Sequence, residues 1–313
     1  MKGTTVRIFL LSNQLFMNLV FLKTQTMKPG ILLTIVAFVL FSACNNQSSS
    51  SSNTDTTASN TDSTMKETAK TPSLKEENIT YAGDGVTMDG YVVYDANKEG
   101  KRPAVLVVPE WWGLVDYPKM RARKLAELGY IAMAVDMYGN GKVADNPGDA
   151  GKMAGPFYQN LKMTKRRFDA ALAKLKTYNQ ADTSNIAAIG YCFGGGVVLN
   201  VARLGENLKG VVSFHGTLIG APADKNLLKA KILVCHGMAD QFVKAEEVEK
   251  FKKQMDSIGA DYAFKQYPNA THAFTNPASD DNSKKFNMPV KYNPEADSAS
   301  WNDMKDFFAR IFK

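Results

Sequence analysis

Cysteine is scarce in this chain, at three residues in 313. Three thiols are too few to staple a domain of this length, so the fold is not a disulfide scaffold. Histidine is equally rare, at three, and neither residue recurs at metal-ligand spacing; no metal and no cofactor is expected. Proline (12) and glycine (23) stand at ordinary counts, which excludes collagen-like and proline-rich architectures. Runs of Lys and Arg that would track a phosphate backbone are missing. The formal charge of +7 also shrinks on inspection. Lys2, Arg7, Lys23 and Lys28 lie in residues 1–43 with no acid beside them, which leaves +3 for the remainder. Nucleic acid is therefore not an expected partner. Against these absences, 44% of residues are hydrophobic and 22% charged, enough apolar surface for a sizeable core.

The clearest apolar run, residues 31–41, has eleven residues, too few to cross a bilayer. It follows Met27-Lys28-Pro29-Gly30, the layout of an export signal with its apolar centre. The run ends in Phe41-Ser42-Ala43-Cys44, which resembles the lipobox of bacterial lipoproteins, with Phe41 where Leu is usual. The resemblance implies a lipidated Cys44 as mature N-terminus and a membrane anchor at the bacterial cell envelope. The plainer alternative is a secretory signal cut near Ala43. Met27 is the better-placed start for either, with residues 1–26 upstream of it. Residues 45–64 are almost entirely Ser, Thr, Asn and Asp, and bury too little to offset chain entropy. The expected organisation is a signal region over 1–44, a flexible linker over 45–77 and one folded domain over 78–313.

From Pro103 onward, short apolar runs alternate with helical periodicity. That pattern marks βαβ units, hence an α/β fold with a mostly parallel twisted sheet and helices on both faces. Strands are expected at 103–108, 130–135, 186–189, 208–214, 231–235 and 262–267. Helices are expected at 117–128 (capped by Asp116 and ended by Gly129), 157–178, 197–204, 245–258 and 301–312. Residues 79–94 are β-rich around Gly90 and read as an antiparallel hairpin at the sheet edge. Residues 275–296, polar and with three prolines, read as a long loop.

Chemistry-bearing residues gather at strand ends. Gly190-Tyr191-Cys192-Phe193-Gly194 follows a strand and opens a helix, the G-x-nucleophile-x-G spacing of a nucleophile elbow with cysteine as nucleophile. Glycines flank the turn because strand and helix approach closely there, and the helix N-terminus favours an adjacent anion. Taken alone, the segment reads equally as a structural cysteine among packing glycines. Two further loops tip the balance. Asp240 follows the strand 231–235 and His272 follows the strand 262–267, so the chain order is nucleophile, acid, histidine. The gaps of 48 and 32 residues each have room for a βα unit, the order of an α/β-hydrolase triad. Glu110 ends the strand 103–108 on the same face, either as a solvated strand-end carboxylate or as a group acting on the thiol. His215 also ends a strand there, whereas Cys235 and His236 fit strand packing.

At these residues the sequence resembles the dienelactone hydrolase family, over about 230 residues from Ile79 on. The resemblance is carried by Gly-Tyr-Cys-Phe-Gly-Gly at 190–195, Val108-Pro109-Glu110, His236-Gly237-x-x-Asp240 and His272-x-Phe274. It implies an α/β-hydrolase fold and a triad of Cys192, His272 and Asp240 acting on small esters, lactones or thioesters. It further implies that Glu110 contacts the resting thiol and helps release the thiolate, with the backbone N–H groups of Trp111 and Phe193 facing the oxyanion. Trp112, Tyr138, His215 and Phe274 are candidate pocket residues. Where the family holds a substrate carboxylate with arginines, this chain has Asn140, and none in Phe274-Thr275-Asn276. A neutral or differently charged ester is the expected substrate. Rival readings are a ligand-binding lipoprotein on the same fold, or a peptidase or acyltransferase, although no large inserted lid domain supports a peptidase.

Overall fold

The computed structural model describes residues 71–313. The expected export signal, the Cys44 lipidation site and most of the expected linker lie outside these residues. The first strand, β1 (Leu74–Gly83), begins within the tail of that linker and pairs with β2 (Val86–Asp95). Their turn is the two-residue loop Asp84-Gly85, both at positive φ (51° and 75°), as a type I′ hairpin requires. The expected antiparallel edge hairpin is thus formed, with Gly90 inside β2 opposite Ile79 and Val135.

The remaining strands are β3 (Arg102–Val108), β4 (Ile131–Val135), β5 (Ala181–Tyr191), β6 (Gly210–Phe214), β7 (Lys231–Gly237) and β8 (Tyr262–Tyr267). They form one eight-stranded sheet in the order β1-β2-β4-β3-β5-β6-β7-β8, parallel from β4 to β8. Buried strands carry apolar residues on both faces. Ala104, Leu106 and Val108 of β3 point into one core, and Val105 and Val107 into the other. The first core is completed by α2 (Pro147–Gln159), α3 (Leu161–Leu175), α4 (Phe193–Arg203) and α5 (Ala245–Ser257). The second is covered by α1 (Asp116–Glu127) and α7 (Pro294–Ile311). The chain runs outward from β3 to β4, then returns past β3 to β5. The β3/β5 boundary is thus the topological switch point, and the crevice at its carboxyl end is where such sheets bind ligands.

Several element ends differ from expectation, each for a local reason. Asp116 is the first residue of α1 and makes no cap; Val115 occupies the cap position. The expected single helix over 157–178 is two helices, because Asn160 leaves helical geometry (φ −127°, ψ 79°) and its side chain caps α3 through the Met163 N–H. Helix α7 starts at Pro294, seven residues early, on the Asn293 cap. The presumed loop over 275–296 contains a further helix, α6 (Ser279–Phe286).

Candidate active site

The strand-to-helix turn at Cys192 is built by steric necessity. Helix α4 begins at Phe193, directly after Cys192, whose φ of 51° and ψ of −112° lie outside the usual regions. A Cβ at Gly190 would overlap the Gly194 carbonyl, and one at Gly194 would overlap the carbonyl of Val108. Only glycine at both positions lets β5, α4 and the end of β3 close around the cysteine.

His272 Nε2 lies 3.0 Å from Cys192 Sγ, and His272 Nδ1 lies 2.9 Å from Asp240 Oδ2. The Asp240 side chain is fully buried, and its Oδ1 accepts the backbone N–H groups of Phe242 (2.8 Å) and Val243 (3.2 Å). Burial alone would push the Asp240 carboxyl up, but the His272 hydrogen bond and the Phe242 N–H hold it below the usual range. For His272, burial acts to lower the pKa. The Cys192 sulfur and the Asp240 hydrogen bond outweigh it and hold the ring well above its ordinary value. That direction favours the protonated ring, with one N–H toward Sγ and the other toward Oδ2. An isolated backbone bridge to Val290 pins the His272 loop from outside.

Glu110 sits after β3 and is buried, at 3% exposure. Its Oε2 accepts a 2.6 Å hydrogen bond from Asn276 Nδ2, while Asn276 Oδ1 accepts the Ala278 N–H. The expected contact between Glu110 and the thiol is not formed, because Asn276 takes the carboxylate and His272 takes the sulfur. Burial pushes the Glu110 carboxyl up to about 7, against the opposing pull of Asn276, His272 and Arg121.

Cys192, His272, Glu110 and Asn276 open on a cavity of about 250 Å³, walled by Trp111, Trp112, Tyr158, Phe242, Met288 and Val290. Its floor toward α2 is formed by Gly151, Ala154 and Gly155, and no Lys or Arg lines it. Trp112 stacks on Phe286 of α6 at 5.9 Å, so the segment over 275–296 closes one side. Three expected pocket residues stand behind this wall. Tyr138 turns its hydroxyl to the Trp111 carbonyl (2.8 Å) and stacks on Phe193. Phe274 is fully buried against His215 and Tyr267. His215 is buried beneath the elbow. Asn140 is exposed in its loop and does not line the cavity. Cys235 is buried in the second core, its thiol pushed up to about 12 by burial. Sequence reasoning missed Tyr158, Phe242, Met288, Val290 and the glycines of α2. It noticed Asn276 only for the arginine it is not.

Comparison with known proteins matches this geometry to a family. The model of the dienelactone hydrolase family matches residues 88–312. The chain is 29% identical over 240 residues to a candidate carboxymethylenebutenolidase of Aquifex aeolicus (strain VF5), covering 75% of this chain and 98% of that protein. It is 29% identical over 235 residues to Protein usf of Aquifex pyrophilus, covering 74% and 96%. The crystal structure of a dienelactone hydrolase-like promiscuous phosphotriesterase from metagenomic libraries matches with a TM-score of 0.71 at 32% identity, over 76% of this chain and 98% of that one. The structure of m3DLH matches at 0.73 and 33%, over 77% and 99%. The matched span runs from within β2 through α7 and contains every strand that delivers a residue to the cavity, so the chain belongs to the dienelactone hydrolase family, a family of carboxylic ester hydrolases.

Proposed function

We propose that this chain hydrolyses a small neutral ester, lactone or thioester by acyl transfer through Cys192. The observation that carries the reading is the continuous contact Cys192–His272–Asp240, at 3.0 and 2.9 Å, at the wall of a cavity that no Lys or Arg lines. A substrate carboxylate placed there would meet Glu110 and no Lys or Arg, whereas a neutral acyl group meets tryptophan, methionine and valine.

In this reading Cys192 gives its thiol proton to His272 Nε2, the sulfur attacks the substrate carbonyl carbon, and the displaced electron pair moves to oxygen. The oxyanion settles against the backbone N–H groups of Trp111 and Phe193, neither of which has an acceptor among the described residues. Collapse breaks the bond to the leaving group, which takes the proton from His272 Nε2. His272 then removes a proton from water, which attacks the acyl-enzyme, and a second collapse releases the acid and returns the sulfur to His272. Asp240 keeps the proton on Nδ1 and so fixes the tautomer throughout. For Glu110 to act on the thiol, as the family resemblance implies, its second oxygen, Oε1, is the one not held by Asn276. The export signal and the Cys44 anchor belong to the same reading on sequence grounds, and place the domain at a bacterial envelope surface.

The test is hydrolysis of p-nitrophenyl acetate by the purified protein under reducing conditions, beside Cys192→Ala. Turnover in the wild type that vanishes in the variant supports the cysteine mechanism; turnover that survives in the variant overturns it.

A further inference from the structure

Among the buried titratable groups that take no part in the acyl transfer itself, His215 lies nearest in structure to Cys192, bonded to its backbone. His215 follows β6, is 1% exposed, and holds a φ of 41°, left-handed geometry that a histidine adopts only against strain. Its Nδ1 accepts the backbone N–H of Cys192 at 3.1 Å, a group shared with the Phe214 carbonyl at 3.0 Å. A backbone N–H can only donate, so Nδ1 is bare and the ring proton sits on Nε2. Burial, reinforced by the nearby charges of His272 and Arg121, keeps this ring neutral.

From Nε2 a buried chain runs away from the nucleophile. Nε2–H donates to Thr275 Oγ1 at 2.7 Å, and Thr275 Oγ1 lies 2.6 Å from the Tyr117 hydroxyl. Arg121 Nε donates to that hydroxyl at 3.2 Å. Arg121 Nη2 donates at 2.5 Å both to the Thr275 carbonyl and to Asp297 Oδ1. Thr275 is therefore gripped at its hydroxyl and its carbonyl, three residues after His272 and one before Asn276. A fully satisfied buried network of this kind rigidifies what it touches. Here it touches the backbone of the nucleophile at one end and the loop of the base in its middle. Cys192 and His215, both at positive φ, share the hydrogen bond that joins them, so each helps to hold the other's strain.

We propose that His215 is a positioning residue for acyl transfer, tying the backbone of Cys192 through Thr275 to the loop that carries His272. It thereby keeps sulfur and Nε2 at hydrogen-bonding distance through both half-reactions. The inference rests on Cys192 being the nucleophile. A misplacement of about 1 Å between reacting groups lowers rate by as much as about 100-fold without weakening binding, which separates this role from plain core packing.

Thr275→Val removes the hydroxyl at nearly constant volume and cuts the tie midway, whereas Thr275→Ser keeps it. Steady-state hydrolysis of p-nitrophenyl acetate by the purified full chain, beside Cys192→Ala and thermal unfolding of each variant, reads the effect. Thr275→Val is expected to lower kcat about tenfold with KM within about twofold, and Thr275→Ser to stay within about threefold of wild type. A kcat for Thr275→Val within twofold of wild type overturns the proposal. So does an equal loss in Thr275→Ser, which would make the methyl packing and not the hydroxyl responsible. Should Thr275→Val fail to fold, His215→Asn carries the same test, since it keeps an acceptor near Nδ1 and loses the Nε2–H; an unchanged kcat there overturns it too. Activity surviving in Cys192→Ala removes the nucleophile and this proposal together. Activity lost in Cys192→Ala but untouched in Thr275→Val removes this proposal alone.

Discussion

Asn276 donates a 2.6 Å hydrogen bond to the buried carboxylate of Glu110, inside a cavity whose walls are mostly aromatic and aliphatic. One amide does not repay the loss of water around a carboxylate, so the Glu110 pKa stands at about 7 against an ordinary 4.5. The sign of the linked stability follows. Between about pH 4.5 and 7 the folded chain still holds a proton that the unfolded chain has released, so stability falls as pH rises through that window. Glu110→Gln, a neutral mimic, is expected to remove this dependence. Relative to wild type it should gain up to about 3 kcal/mol between pH 4.5 and 8, measured by chemical unfolding at both pH values. Groups that do not interact with Glu110 titrate alike in both proteins and cancel in the difference. Parallel profiles would mean that Glu110 is ionised in the fold at low pH.

Tyr138 reaches both segments that supply the proposed oxyanion donors. Its hydroxyl donates to the Trp111 carbonyl at 2.8 Å, and its ring stacks on Phe193 at 5.7 Å. Tyr138→Phe keeps the stack and removes the tether. The expected result is a kcat about three- to tenfold lower at a stability within about 1 kcal/mol of wild type, since one neutral hydrogen bond is worth no more. A loss of stability without a loss of kcat would assign the hydroxyl to packing alone.

The sheet was legible because its strands are buried on both faces. The runs at 103–108 and 186–189 have no other use in an α/β chain, and parallel order then forces Glu110, Cys192, Asp240 and His272 to one edge. What escaped was set by contacts distant in sequence. Nothing near Asn276 signals Glu110, 166 residues away, and nothing near His215 signals Thr275, 60 residues away. Helix α2 was hidden up to Phe157 by its own composition, since Gly148, Gly151, Gly155 and Pro156 all speak against a helix. The hairpin turn, by contrast, is local: the Asp84-Gly85 pair carries it between two β-rich runs.

The proposed lipid anchor rests on Phe41-Ser42-Ala43-Cys44 and has a direct test. Expression in a bacterial host fed an alkyne-tagged palmitate should label the protein and send it to the membrane fraction. Cys44→Ser should abolish the label and leave the protein soluble. An unlabelled wild type that is still exported would favour the alternative, a secretory signal cut near Ala43.

The glycines of α2 make the last case, because the features that weaken the helix also shape the cavity. Gly151 and Gly155 face the space in front of Cys192, and a Cβ added at either would meet no atom within 4 Å. Gly151→Ala is therefore free of clash and restores helix propensity, with an expected gain of about 0.5–1 kcal/mol. Gly151→Leu would instead extend a side chain into a volume of about 250 Å³. If the substrate's acyl chain lies along α2, this variant should lower kcat/KM for p-nitrophenyl hexanoate by about tenfold or more, and for the acetate by less than about threefold. Equal losses on both esters would place the acyl chain elsewhere, against Trp112 and Phe286, and would make α2 a wall for the leaving group.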